Sequence, residues 1–167
     1  MLSIDGPGQG ISNLRKIRVT HDNHGPAGKA FVDYLATPPK IDAGRIGIFG
    51  ISMGSYWAPL IAAHDRRIRA CAGATACFLQ KNRIFNESSP RFKQVFMYMA
   101  GIHDEDRFDR LAAKMTLERY AGRIACPILL CTGEFDPLSP PWKTPTPCST
   151  GFRVRRNSGS SRTRPTT

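Results

Sequence analysis

The sequence predicts an α/β fold, a parallel sheet with helices laid across it. Three observations carry that expectation. The apolar run Ile46-Gly47-Ile48-Phe49 passes through Gly50-Ile51-Ser52-Met53-Gly54 into a helix-like segment that ends near His64. Short apolar runs alternate with segments of three- and four-residue apolar spacing between Met1 and Cys77. A further apolar run, Ile128-Leu129-Leu130-Cys131, enters a glycine turn bearing Glu134 and Asp136. Strand followed by helix followed by strand needs a crossover, and crossovers join parallel strands.

Taken in order, residues 2–4 read as the end of a buried strand entering the loop Asp5-Gly6-Pro7-Gly8-Gln9-Gly10. No Gly-Lys-Ser/Thr follows and no helix is expected to start there, so the loop does not read as a phosphate cradle. His21 and His24 share a turn-rich segment with Asn23, Gly25 and Pro26. A metal pair needs a rigid element and further ligands, so this segment reads as a solvated loop with no metal. Pro26 suits a first helical turn, after which Ala27, Ala30, Phe31, Tyr34 and Leu35 fall on one face until Thr37-Pro38-Pro39 ends the helix. Residues 46–49 form the next strand and 53–64 the next helix, which Pro59 is expected to kink. Residues 68–76 follow as a strand of small side chains.

The character changes between residues 78 and 123. Ser89-Pro90 reads as a cap and first position, with Phe92, Val95, Phe96 and Met99 on one helical face. Phe108, Leu111, Ala112 and Met115 repeat that pattern in a second helix. The cluster Asp104-Glu105-Asp106 at its start is better read as acids favouring the positive end of a helix dipole than as a metal site. The two helices read as an insertion above the sheet. Their Phe and Met side chains suit either an apolar substrate pocket or ordinary core packing. The expected organisation is therefore a core over residues 1–77, a helical lid over 78–123, a core strand and acid loop over 124–138, and a disordered basic tail over 139–167.

Composition narrows the classes. A formal charge of +11 over 167 residues invites a nucleic-acid reading, but the tail alone supplies Lys143, Arg153, Arg155, Arg156, Arg162 and Arg164 without one acid. The remaining basic side chains stand against all 13 acidic ones, an ordinary balance with no aromatic interleaving. No nucleic-acid partner is expected. No stretch approaches the roughly 18 apolar residues of a membrane span, and no basic-then-apolar leader opens the chain. Five cysteines without a Cys-x-x-Cys pair suggest reduced thiols and a cytoplasmic setting. No cofactor is called for.

The chemistry concentrates at Ser52. Gly-x-Ser-x-Gly between a strand and a helix is the context of a nucleophile elbow. Gly50 and Gly54 allow close packing around a serine in a strained conformation. The Met53 N–H falls at a helix N-terminus, where it can donate to a developing oxyanion. Asp136 follows a strand well downstream of the serine, where the acid of a Ser…Asp…His order belongs. Glu134 is the second candidate.

These residues together resemble the α/β-hydrolase superfamily, in its esterase branch near dihydroxypseudooxynicotine hydrolase and the dipeptidyl-aminopeptidase/acylaminoacyl-peptidase group. The matching stretches are residues 5–12, 32–35, 41–54, 62–71 and 126–137, and the likeness covers roughly residues 2–138. It implies an α/β-hydrolase core acting on an ester, amide or related acyl bond of a small-molecule or peptide substrate. Ser52 would be the nucleophile, Asp136 the acid and the Met53 N–H one oxyanion donor. The chain departs from the pattern at both ends. The expected histidine follows the acid, yet the last histidine is His103. His64 stands at the far end of the elbow helix, about 18 Å from Ser52 along its axis; His103 lies in the lid. The likeness also implies that residues 2–4 are the superfamily's fourth strand, in the order 1-2-4-3-5-6-7-8. Three strands and one oxyanion donor would then be absent, leaving an aggregation-prone edge, and the core would lack its last helix and strand. The Pro/Ser/Thr/Arg-rich tail reads as out-of-frame or degraded coding sequence. Weak or no turnover is expected. The alternative function is a non-catalytic hydrolase-like fragment that binds a protein through its sheet edge, and a homodimer is one candidate assembly.

Overall fold

A computed structural model describes residues 1–74 and 81–131. Three strands, β1 (Ile46–Ile51), β2 (Ile68–Ala74) and β3 (Ile128–Cys131), form one sheet in the order β1-β2-β3. Both pairings are parallel, as the alternation of elements predicts. The register slips by one residue between Ile46 and Gly47, where Arg69 of β2 has no partner on β1. Helices α1 (Gly10–Leu14) and α2 (His24–Leu35) precede the sheet, α3 (Gly54–His64) joins β1 to β2, and α4 (Lys81–Glu87), α5 (Pro90–Ala100) and α6 (Glu105–Ala112) lie between β2 and β3.

α3 is the hub. Every residue from Ser55 to Ala63 is buried, so the helix is apolar on all sides and must be covered on all sides. Ala58 and Ala62 meet Val32 of α2, Ile46, Ile68 and Cys71 in one cluster. Tyr56, Trp57 and Leu60 join a second cluster with Phe85, Phe96, Met97, Phe108, Ala112 and Met115. Phe85, Phe96, Met97, Phe108 and Met115 are therefore core, with Phe92 and Met99 packed against them, and the described part of that segment contains three α-helices, not two. Phe85 is the link the spacing did not reveal; its ring lies 5.0 Å from both Phe96 and Phe108. Acids at the start of α6 act as local caps, with Asp104 accepting from the Arg107 N–H. Lys93 ties α5 to α6 through Glu105 and Asp109.

Several expectations are corrected. Residues 2–4 are not a strand and are exposed, since no neighbouring strand among the described residues pairs with them. A five-residue helix does start at Gly10, directly after the glycine-rich loop. The buried face of α2 is His24, Gly25, Gly28 and Val32, while Tyr34 is exposed. Small residues decide this face, because Gly28 leaves room for Ile61 and Gly25 for the His64 ring. α3 runs unbroken through Pro59, which is fully buried, so tertiary packing overrides the local penalty.

The sheet is covered on one side only among the described residues. Ile46, Ile68 and Cys71 face the helices and are buried. On the other side Phe49, Ile51 and Leu129 are 62%, 59% and 62% exposed. Phe49, Ala72 and Leu129 form one row across the three strands. Parallel sheets are ordinarily covered on both faces. No described helix is long and apolar enough to cross a membrane.

This asymmetry sets an expectation for stability. Phe108, fully buried, should cost about 3–5 kcal/mol when truncated to alanine. Phe49→Thr on the uncovered face should stay within about 0.5 kcal/mol. Urea denaturation of the two variants compares them directly, and equal losses would contradict the layer assignment.

Candidate active site

Ser52 sits where β1 ends and α3 begins. Its φ is 55°, in the left-handed region, and besides Lys16 it is the only described non-glycine residue there. Such a conformation costs about 1–3 kcal/mol and persists only where the surroundings over-determine it. Here they do so from both sides. The Ser52 N–H donates to the Ala74 carbonyl at 2.9 Å, extending the β1–β2 ladder by one bond. The Ser52 carbonyl accepts from the Ser55 N–H at 3.0 Å and from the Ser55 hydroxyl at 2.6 Å. Ser55 is completely buried and holds the turn from inside, a role that its position three residues after the serine could have suggested.

The two motif glycines do different work. A Cβ on Gly50 would drive into the Gly54 backbone carbonyl, so the chain crosses itself too closely there for any side chain. A Cβ on Gly54 would meet nothing within 4 Å among the described residues. Met53 caps α3 with helical backbone angles, and its side chain is buried in the core cluster. Its peptide N–H belongs to the first turn of α3, where N–H groups lack carbonyl partners within the helix and favour negative charge. Ser52 itself is exposed, so a substrate carbonyl can approach it.

Asp136 and Glu134 lie outside the described residues, as do Cys77, Cys148 and the tail from 139 onward. Among the described residues no histidine is hydrogen-bonded to Ser52. His64 bonds through Nδ1 to the Leu60 carbonyl at 2.8 Å and leans on the Tyr120 ring. His103 is exposed in the turn between α5 and α6. His21 lies 3.7 Å from Asp22. His24, expected in a solvated loop, is instead buried as the first residue of α2 and stacked on Trp57. Groups of three or more metal-binding side chains are absent among the described residues. Burial pushes the Cys71 thiol up to about 12, which leaves it a neutral packing group.

The glycine-rich loop is tied to the helices behind the site. Gly8, at φ 82°, donates to the Ile17 carbonyl, and the Val19 N–H donates to the Met99 carbonyl of α5. A Cβ at Gly8 would crowd Val19 and Met99.

Known proteins resemble this chain in sequence and fold. The family model described as the prolyl oligopeptidase family (Peptidase_S9) matches residues 28–147. A hydrolase of Aspergillus aculeatus, acrC, is 38% identical over 82 residues, covering 47% of this chain and 19% of that protein. The crystal structure of 2,6-dihydroxy-pseudo-oxynicotine hydrolase superposes with a TM-score of 0.66 at 25% identity, covering 75% of this chain and 35% of the other. Acetyl xylan esterase 1 from a Thermoanaerobacterium species shares the fold, with a TM-score of 0.51 at 21% identity over 69% of this chain and 38% of that one. The chain thus spans about a fifth of the curated relative and about a third of the similar structures.

The elbow geometry makes a paired prediction. Gly50→Ala should cost about 1–3 kcal/mol, because the turn must open to admit the methyl group. Gly54→Ala, at the first helical position and with no neighbour within 4 Å among the described residues, should be neutral or slightly stabilising. Urea midpoints measure both, and a tolerated Gly50→Ala would contradict the close crossing.

Proposed function

The chain belongs to the prolyl oligopeptidase family, and from that premise we propose a serine hydrolase that acts on an ester, amide or related acyl bond through Ser52. The observation that carries this is the exposed serine at a left-handed strand-to-helix turn, locked by three hydrogen bonds. In the proposed reaction the Ser52 oxygen attacks the substrate carbonyl carbon as its proton passes to a base. The tetrahedral oxyanion takes a hydrogen bond from the Met53 N–H. The leaving group departs with a proton, and water then releases the acyl group from Ser52. Asp136 would be the acid that orients a histidine base, and no histidine follows it in this sequence. Small-molecule or peptide acyl compounds are the proposed substrates.

The 167-residue polypeptide carries His21, His24, His64 and His103, and the described geometry seats none of them against Ser52. A triad without its base retains at most about 10³–10⁴-fold catalysis over water. We therefore expect slow acetyl transfer and little turnover with p-nitrophenyl acetate. Peptide mass spectrometry should find the acetyl group on Ser52 and lose it in Ser52→Ala. Acetylation of lysines with none on Ser52 would sink the assignment. A Ser52-dependent turnover more than about 10⁴-fold above the Ser52→Ala variant would overturn the low-activity expectation and make His103→Ala the next variant to assay.

The uncovered sheet face favours a second reading, a hydrolase-like module completed by another polypeptide. Its occupant would be a strand that extends the sheet beyond β1, followed by a helix with an apolar face over Phe49, Ile51 and Leu129. Sizing of the purified chain alone and with a complementary hydrolase fragment distinguishes the outcomes. A complex abolished by Phe49→Lys supports docking, a homodimer points to self-association, and a monomer in both mixtures removes the reading.

A further inference from the structure

Away from the elbow, one buried titratable group is used by none of the chemistry above. His24 is 3% exposed. Its ring lies parallel to the Trp57 indole, with centroids 4.0 Å apart and planes within 6°. The glycine-rich loop closes in beside it; a Cβ on Gly6 would stand 2.7 Å from Nε2. Neither ring nitrogen has a hydrogen-bond partner among the described residues. Native proteins rarely leave two buried polar atoms unsatisfied on one side chain, so the arrangement asks for a reason.

The neighbouring ionisable groups offer no compensation. The Asp5 carboxylate lies against Gly10. Asp22 accepts from the Thr20 hydroxyl and lies beside His21. On α3, His64 is committed to the Leu60 carbonyl, and burial pushes the Tyr56 phenol up, keeping it neutral. Lys29, further along α2, is paired with Asp33. A proton on His24 would thus create a buried cation without an acceptor. The face of Trp57 offers it some cation–π attraction, but loss of hydration outweighs this, and burial lowers the ring pKa to about 4.

We propose that the His24–Trp57 stack is an acid-sensitive latch, closed while His24 is neutral and opened by its protonation. The latch joins three parts: the glycine-rich loop at Gly6, the first turn of α2, and the helix that leaves Ser52. When His24 leaves, Gly25 and Gly28 lose the anchor that seats them on His64 and Ile61, and the loop loses the ring it rests on. The elbow helix is then uncovered on one side.

The direction follows from linkage. An open or unfolded His24 takes up its proton near pH 6.5, the closed one only near 4. The open state therefore binds more protons between those values. The latch is at full strength above about pH 6.5 and weakens as pH falls toward 4. Over that range the opening equilibrium shifts by up to about 300-fold.

The test uses the full chain carrying Trp142→Phe, so that Trp57 is the only indole. Urea midpoints and Trp57 emission are followed from pH 7.5 to 3.5, with and without His24→Phe. Phenylalanine keeps a flat ring on Trp57 but cannot take a proton. The expected result is a midpoint that falls between pH 6.5 and 4 in the parent, together with a Trp57 emission change, and a clearly flatter profile in His24→Phe. Parallel profiles would overturn the latch. Should His24→Phe fail to fold, titration of the His24 ring by NMR in the parent decides instead. A ring that stays neutral to about pH 4 supports the latch, and one that titrates near 6.5 in the folded chain removes it.

Discussion

A left-handed serine bonded at both ends of its own peptide unit fixes how the chain leaves the sheet, and the remaining packing follows from that exit. The Ala74 carbonyl holds the Ser52 N–H in line with the ladder, while Ser55 draws the Ser52 carbonyl back into the first turn of α3. The bend is sharp enough that Gly50 and Gly54 nearly touch. Strain of this kind survives only in a rigid setting. The setting is α3 itself, buried from Ser55 to Ala63 by the sheet, by α2 and by α4 to α6. The same burial that stiffens the elbow leaves Ser52 exposed at its tip, which is the geometry an attacking hydroxyl requires.

The cover around α3 is uneven in chemistry as well as in position. Toward α4, α5 and α6 it is aromatic, with Phe85, Phe92, Phe96 and Phe108 in contact, and a large apolar area is removed from water. Toward α2 it is made of His24, Gly25, Gly28 and Val32, and at the two glycines the backbone of α2 comes close to His64 and Ile61 of α3. Ion pairs finish the outer surface. Arg67 bridges Asp65, at the end of α3, to Asp33 of α2, and hydrogen bonds from Arg67 hold the Asp65 carboxyl below its ordinary range. The Arg67–Asp33 pair is partly exposed and supplies little stability, whereas Asp65 is buried beneath Arg67. Among the described residues the sheet's far face has no such cover, and its row of Phe49, Ala72 and Leu129 departs from how parallel sheets are ordinarily finished.

By itself the sequence determined the parallel order of the strands, the strand-to-helix turn at Ser52, the starts of the helices after Ser89 and Asp104, and the family. These are local matters, written in residue spacing, glycine placement and turn chemistry, and they need no knowledge of distant contacts. Tertiary structure decided the rest. Residues 2–4 have strand-like composition, but a strand exists only where another lies beside it. Pro59 looks like a flaw until burial on every side outweighs it. The Phe and Met pattern after residue 78 could line a pocket or fill a core, and only the position of α3 made it core. His24 is the plainest case. In sequence it stands among turn residues, and nothing local separates a solvated imidazole from a buried one. The difference comes from Gly6 and Trp57, both distant from it along the chain, which together close the space around its ring.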